Sequence, residues 1–293
     1  MTQRQAILIE TNELDTELAN VVLLDATVIL ARPEFDGDYR VASGYSDWET
    51  LHIPNSVHVD LYQDLANTQV DYSFAVPDAQ VVQNFLQDLG VKKETALVVY
   101  DSKDGIWAAR LWWLFRSFGV DSRILNGGLT AWVNEGYATE TGQKQPVHRE
   151  KGDIAVQPQP HFWLSLTQVQ QLAEQTLPNT TTNLICALGE DYFKGTAITR
   201  YARRGIIPNS DNIPARHFIG ANNKFLANAE IVKILQDLSP ENGLKALYCG
   251  GGISACILAV AFSLVTDNPI AIYDGSLQEW ALHSNLPLVQ GEK

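Results

Sequence analysis

Cys249 has the plainest capacity for chemistry of any residue in this sequence. It follows the apolar run Lys245-Ala246-Leu247-Tyr248 and opens the stretch Gly250, Gly251, Gly252, Ile253 and Ser254, after which come the apolar residues ACILAVAFSL. That order predicts a strand, a tight loop and a helix. Glycines let such a loop curl so that consecutive backbone N–H groups converge, and the helix adds its unpaired N-terminal donors and positive dipole end. A sulfur at the centre of the cradle is stabilised as a thiolate, which makes Cys249 a nucleophile. The plainer reading is a buried small hydrophobe before an ordinary turn. It loses weight because ligands of open α/β sheets bind at the carboxyl ends of strands, where Cys249 is expected.

Two related loops are set aside on particular residues. A phosphate-binding loop needs G-x-x-x-x-G-K-[ST] or a correctly spaced G-x-G-x-x-G, and the chain has neither. A cysteine-phosphatase loop needs an arginine at the position held here by Ala255. The other two cysteines, Cys186 and Cys256, read as buried, unreactive thiols. Three cysteines make no disulfide framework in a chain of this length, so a reducing compartment is expected. The six histidines, His52 and His58 among them, form no metal-ligand spacing, and neither H-E-x-x-H nor CxxC occurs. No metal or cofactor is expected.

The elements that must position Cys249 form a repeating pattern. Buried strands are predicted in VVLLDATVIL at 21–30, ALVVYD ending at Asp101, NLICAL at 183–188 and KALYCG ending at Gly250. Helices are predicted between them, in AQVVQNFLQDLG closing on Gly90 and in AEIVKILQDLS. Strands alternating with helices point to an α/β fold with a mainly parallel sheet. Tyr100-Asp101 is followed by Trp132 in NGGLTAW, and Tyr248-Cys249 by Trp280 in DGSLQEW, with an offset of 148 residues at both landmarks. HIPNS at 52–56 and IIPNS at 206–210 extend the match upstream. The chain therefore reads as two copies of one fold, residues 1–140 and 161–293, joined by a Gln- and Pro-rich linker at 141–160. Asp101 stands in the first copy where Cys249 stands in the second. The first-copy loop, SKDGIW, has charged side chains and one glycine, so few amides are expected to converge there. Trp112 and Trp113, with Leu111 and Phe115, are expected to pack a helix against a sheet or the other copy.

Composition bounds the partners. The 293 residues suffice for roughly two domains, and 45% apolar with 19% charged residues is a globular composition. The net charge of −13 repels nucleic acid and anionic membrane surfaces, so neither is expected as a partner. A small anionic substrate must then be held locally, by amides or a few arginines. The N-terminal residues contain no signal-peptide apolar core, and the longest apolar stretch, CILAVAFSLV, is too short to span a bilayer. A cytoplasmic, unanchored protein is expected.

The motifs HIPNSVHVDL, VVYDSKDGIWAARLWWLFRSFG, LNGGLTAW, RRGIIPNSDNIP, CGGGISA and YDGSLQEW, in this order and partly duplicated, resemble the tandem-domain sulfurtransferases of the rhodanese family from about Val21 to Leu288. The resemblance implies two rhodanese-like α/β domains, the first without the nucleophile and the second catalytic. It implies that Cys249 takes sulfur from a donor, becomes a persulfide held by the amides of Gly250, Gly251, Gly252 and Ile253, and passes the sulfur to a thiol or cyanide. Gly251 stands where mercaptopyruvate-type members carry a serine, and Ser254 stands at their threonine position. The cationic side chains of the thiosulfate-type loop are missing, which favours mercaptopyruvate over thiosulfate as donor. Upstream, Tyr192 and Cys186 replace family positions for an arginine and an aspartate, while Arg200, Arg203 and Arg204 lie close by. Those arginines either grip a substrate carboxylate or form solvated ion pairs. A persulfide-carrying module serving a protein partner, with little turnover of small donors, is the alternative to an enzyme of this kind.

Overall fold

The computed structural model describes residues 2–142, 150–174, 182–236 and 243–291. Twelve strands are formed among them: β1 (Leu8–Ile9), β2 (Val21–Asp25), β3 (Val28–Leu30), β4 (Val41–Ser43), β5 (Val57–His58), β6 (Ala96–Tyr100), β7 (Arg123–Leu125), β8 (Trp163–Leu164), β9 (Asn183–Cys186), β10 (Ser210–Asn212), β11 (Lys245–Tyr248) and β12 (Ile270–Tyr273). One sheet has the order β1-β7-β6-β2-β5 and the other the order β8-β12-β11-β9-β10. Every pairing in both is parallel. The two orders correspond strand for strand. The sequence offset of 148 is therefore an equivalence of the central strands β6 and β11, which end at Tyr100 and Tyr248.

Central strands of a parallel sheet are covered on both faces and need apolar residues throughout. All four residues of β11 are buried, as are the last four of β6. The run VVLLDATVIL, expected as one strand, is two. Asp25 Oδ1 accepts the N–H of Thr27 at 2.8 Å, an Asx-type turn that ends β2. The chain then enters the antiparallel hairpin β3–β4, outside the main sheet. The first predicted helix forms over Ala79–Asp88 and stops at Gly90, whose φ of +77° is the left-handed conformation that suits glycine.

Helices Ile106–Ser117 and Ala255–Val265 follow the two central strands and pack against each other. Each therefore has a sheet on one side and the other unit's helix on the opposite side. That double burial explains why both are mostly apolar, with Ala255 through Leu264 all buried and, in the first helix, ten of its residues from Trp107 to Ser117 buried and Arg116 exposed. Trp112, Trp113 and Phe115 share one hydrophobic cluster with Ile257, Val260 and Leu264. Of the expected linker, residues 143–149 lie outside the described residues. From Gly152 the chain is tied to the first unit, through Gly152 N–H to Gln87 O, Gln157 N–H to Phe118 O and Gln159 N–H to Ser117 O. Among the described residues no helix is long and apolar enough to cross a membrane.

Candidate active site

The end of β11 places Cys249 at the carboxyl edge of the second sheet, 1% exposed. Its backbone is held by the segment after β12. Cys249 N–H donates to Ser276 Oγ at 3.2 Å, Leu277 N–H donates to Cys249 O at 3.1 Å, and Gln278 N–H donates to Gly250 O at 2.7 Å. The carbonyls thus face the β12 side. The backbone N–H groups of Gly250, Gly251, Gly252, Ile253 and Ser254 donate to no group among the described residues. Five unpaired amides thus stand in succession before the helix Ala255–Val265, the kind of backbone donors that helix N-termini offer to anions.

The three glycines are not equivalent. Gly252 has a φ of +71°, and a Cβ there would stand 2.7 Å from Asp274 O. Both the conformation and the space demand glycine. Gly251 has no positive φ, and its Cβ would meet only Gln278 Oε1, at 3.2 Å, the far end of a flexible side chain. Gly250 faces the ring of Tyr201 at an ordinary contact distance of 3.6 Å.

The equivalent loop of the first unit is occupied from within. Asp101 Oδ1 accepts from the N–H groups of Lys103 and Gly105 at 2.9 and 3.1 Å, and Oδ2 from those of Trp107 and Ala108, both at 2.9 Å. The expectation that few amides converge on this loop is corrected by these four. Burial pushes the Asp101 carboxyl up to about 6 against the opposing pull of the amides.

A cavity of about 520 Å³ opens on Cys249, Gly250, Gly251, Ile253 and Ser254, and is walled on its other side by the first unit, through strand β3, Tyr39, Ile106 and Trp107. Of the three arginines singled out in the sequence, Arg200 lines it. Arg200 Nε donates to Ala31 O at 2.9 Å, and its other nitrogens form no ion pair among the described residues. Arg203 and Arg204 are engaged elsewhere. Arg203 donates to the carbonyls of Ala281, His283 and Leu286, closing the chain after helix Ser276–Trp280. Arg204 grips both oxygens of Asp36 at 2.9 and 2.8 Å, a tie between the two units. Lys103 and Arg216, not singled out in the sequence, also line the cavity, each paired with an acid: Asp47 at 2.9 Å and Asp104 at 3.4 Å.

Cys186 and Cys256 are fully buried, and burial pushes both thiols up to about 12. Cys256 Sγ donates to Gly252 O at 3.2 Å. The same carbonyl accepts from Arg110 Nη1 at 3.2 Å. Arg110 belongs to helix Ile106–Ser117 of the first unit and is itself buried. Its Nη2 pairs with Asp274 Oδ1 at 2.8 Å and donates to Phe74 O, and its guanidinium lies over the Trp163 ring at 4.5 Å. In a trans peptide the C=O and the following N–H point in opposite directions. Turning Gly252 O onto Arg110 therefore turns the Ile253 N–H the other way. Only the fold reveals this role, because Arg110 lies 139 positions before Cys249 in a helix that reads as plain core.

A family model described as a rhodanese-like domain matches residues 12–135 and 196–283. The chain is 29% identical to thiosulfate/3-mercaptopyruvate sulfurtransferase 2 of Arabidopsis thaliana, over 92% of this chain and 82% of that one. It is 28% identical to 3-mercaptopyruvate sulfurtransferase of Homo sapiens, over 89% and 85% respectively. The solved structure of 3-mercaptopyruvate sulfurtransferase from Leishmania major superimposes with a TM-score of 0.74 at 20% identity, covering 93% of this chain and 73% of that one, which is a likeness of fold.

Proposed function

Starting from the fact that this chain belongs to the rhodanese family and is a sulfurtransferase of two tandem rhodanese-like units, we propose that Cys249 carries the transferred sulfur as a persulfide and that mercaptopyruvate is a better donor than thiosulfate. The observation that carries the first part is the contrast between the two loops. The first unit satisfies four loop amides with the Asp101 carboxylate, whereas the second leaves five amides unpaired beside a cysteine. Cys249 thiolate attacks the donor sulfur and the carbon–sulfur bond breaks. The electron pair leaves with carbon as the enolate of pyruvate, and the loop amides of Gly250, Gly251, Gly252 and Ile253 stabilise the new persulfide anion. Ser254, on the cavity wall, supplies the hydroxyl through which a proton reaches the enolate. A thiol or cyanide then takes the outer sulfur, and Cys249 returns as thiolate.

Arg200 supports the donor assignment. Thiosulfate is a compact dianion that meets amide dipoles but no cationic side chain in the loop itself. Mercaptopyruvate holds its carboxylate away from its sulfur, where Arg200 offers unpaired N–H groups. A cysteine with 1% exposure at the floor of a cavity is also better suited to small substrates than to a protein-bound thiol, which favours turnover over the carrier role.

The test is kcat/KM for both donors at one acceptor concentration, with Arg200, Arg203 and Arg204 each changed to Ala. A charged hydrogen bond contributes about 1.5–3 kcal/mol, so Arg200→Ala is expected to lower the mercaptopyruvate value roughly 10- to 150-fold. Arg203→Ala and Arg204→Ala are expected to act through stability. A thiosulfate value equal to or above that of mercaptopyruvate overturns the donor assignment.

A further inference from the structure

Gln278 stands where the loop after Cys249 meets the first unit. Its backbone N–H donates to Gly250 O at 2.7 Å, and its side chain lines the cavity beside Gly251. The same side chain crosses to the first unit, where Oε1 accepts from the Ser73 N–H and Nε2 donates to Ser73 Oγ, both at 3.2 Å. A backbone N–H can only donate, so this pairing fixes which way the amide is turned as well as where it lies. In the first unit the equivalent segment ties its loop by Leu129 N–H to Asp101 O at 3.0 Å, the counterpart of Leu277 N–H to Cys249 O. Among the described residues nothing there corresponds to the added tie at Gly250.

Ser73 is fixed by its neighbours. Tyr72 Oη and Val76 N–H both reach Asp274 Oδ2, at 3.3 and 2.8 Å, and Phe74 O accepts from Arg110. Phe74 has a φ of +60°, a left-handed conformation that is costly for a bulky side chain. The second unit lays a matching segment on the first, with Phe225 N–H on Asn126 Oδ1 at 2.8 Å and Asn223 at a φ of +57°. Asparagine tolerates that conformation, and its Nδ2 reaches Oγ1 of Thr130, the counterpart of Gln278, at 3.2 Å. The strained phenylalanine next to Ser73 is kept instead by burial, its ring packed on Trp107 of the cavity wall at 5.2 Å between centroids.

Resting on the persulfide reading above, we propose that Gln278 is a positioning residue for sulfur transfer, anchored by Ser73 of the first unit and acting through the peptide between Gly250 and Gly251. In a trans peptide the carbonyl and the following N–H point opposite ways, so holding Gly250 O on the Gln278 N–H turns the Gly251 N–H away from helix Ser276–Trp280. That amide then stands ready for the charge that gathers on sulfur as Cys249 accepts and surrenders it. A preorganised donor of this kind acts on the transition state more than on the bound donor molecule. Arg110 holds Gly252 O and Gln278 holds Gly250 O, so alternate peptides of the loop are aimed by two separate ties to the first unit.

The experiment follows the first half-reaction alone. The full chain is mixed with mercaptopyruvate and quenched at intervals, and the gain of one sulfur is read by intact mass over a range of donor concentrations. Gln278→Met keeps the side-chain length and removes both bonds to Ser73. It is expected to lower the saturated loading rate about tenfold, with the half-saturating donor concentration within about twofold of wild type. Ser73→Ala is expected to lower the rate about threefold, and Ser73→Thr, which keeps the hydroxyl, to stay within about twofold of wild type. The Ser73 hydroxyl also meets the Tyr39 phenol, so Ser73→Ala is repeated in the Gln278→Met chain, where a serine that acts through Gln278 costs nothing further. Losses that multiply in the double variant, or an unchanged saturated rate in Gln278→Met, overturn the proposal. Should Gln278→Met fail to fold, equal rates for Ser73→Ala and Ser73→Thr overturn it. A wild-type chain that gains no sulfur from mercaptopyruvate or thiosulfate overturns the persulfide reading itself, before any variant is compared.

Discussion

Asp101 and Cys249 follow the last residues of equivalent strands, and the group at each sits beside the loop amides that come after it. A carboxylate reaches back and ties four of them to itself, whereas beside the thiol five stay unpaired among the described residues. At this scale the expected result is that Cys249→Ser abolishes transfer while Cys186→Ser and Cys256→Ser keep most of it. With both other thiols pushed up to about 12, almost none of either is thiolate at neutral pH. Iodoacetamide at neutral pH is therefore expected to modify Cys249 alone among the three, and peptide mapping that finds Cys186 or Cys256 alkylated in the folded protein would contradict this. The loop glycines divide in the same way. Gly252→Ala forces a side chain into a positive φ and against Asp274 O, at a cost of about 1–3 kcal/mol and with an activity loss of about tenfold or more. Gly251→Ala asks only that Gln278 give way, and activity within about threefold of wild type is expected. Urea melts beside turnover assays on both variants decide it, and equal damage from the two would refute the assignment of strain to Gly252.

Between elements the controlling contact is Arg110, by which helix Ile106–Ser117 of one unit holds a loop carbonyl and Asp274 of the other. Asp274 is gripped a second time through Oδ2, by Val76 N–H at 2.8 Å and Tyr72 Oη at 3.3 Å. Removing one partner of a buried ion pair costs about 3–5 kcal/mol, since the other charge stays buried and uncompensated. Arg110→Met is expected to destabilise by that order. The double variant Arg110→Met with Asp274→Asn should regain much of the stability. It should remain slow in kcat, because Gly252 O keeps only the weak Cys256 thiol donor and the Ile253 amide is held less firmly in place. Chemical denaturation and steady-state kinetics on the single and double variants separate the two effects. Recovery of kcat together with stability would reduce Arg110 to a purely structural role.

For the whole molecule, the second unit carries Cys249 but does not close its own cavity or cover its own helix. Ala255 through Leu264 are buried because helix Ile106–Ser117 lies on them. A chain reduced to residues 161–293 would expose that face as a large apolar patch. Such a fragment is expected to aggregate or bind hydrophobic dye and to lack turnover, with recovery on coexpression with residues 1–160. Light scattering and a sulfur-transfer assay on the fragment check this. A monomeric fragment with full activity would mean that the first unit contributes nothing to the site.

The fold, the duplication and the strand–loop–helix setting of Cys249 were legible in the linear sequence because each is a local pattern: an apolar strand, a cysteine, three glycines, an apolar helix, and landmarks repeated 148 residues apart. Local rules also explain where the reading stopped. Nothing in VVLLDATVIL signals that Asp25 turns the chain into a separate hairpin, and nothing in SKDGIW signals that its amides converge on Asp101. Arg200, Arg203 and Arg204 look alike in sequence, yet one lines the cavity, one closes a chain terminus and one ties the units together. Arg110 and the first-unit wall of the cavity were invisible for the same reason. Which groups meet across two packed domains depends on long-range placement, where residues more than a hundred positions apart come within hydrogen-bond distance, and no window along the chain contains that information.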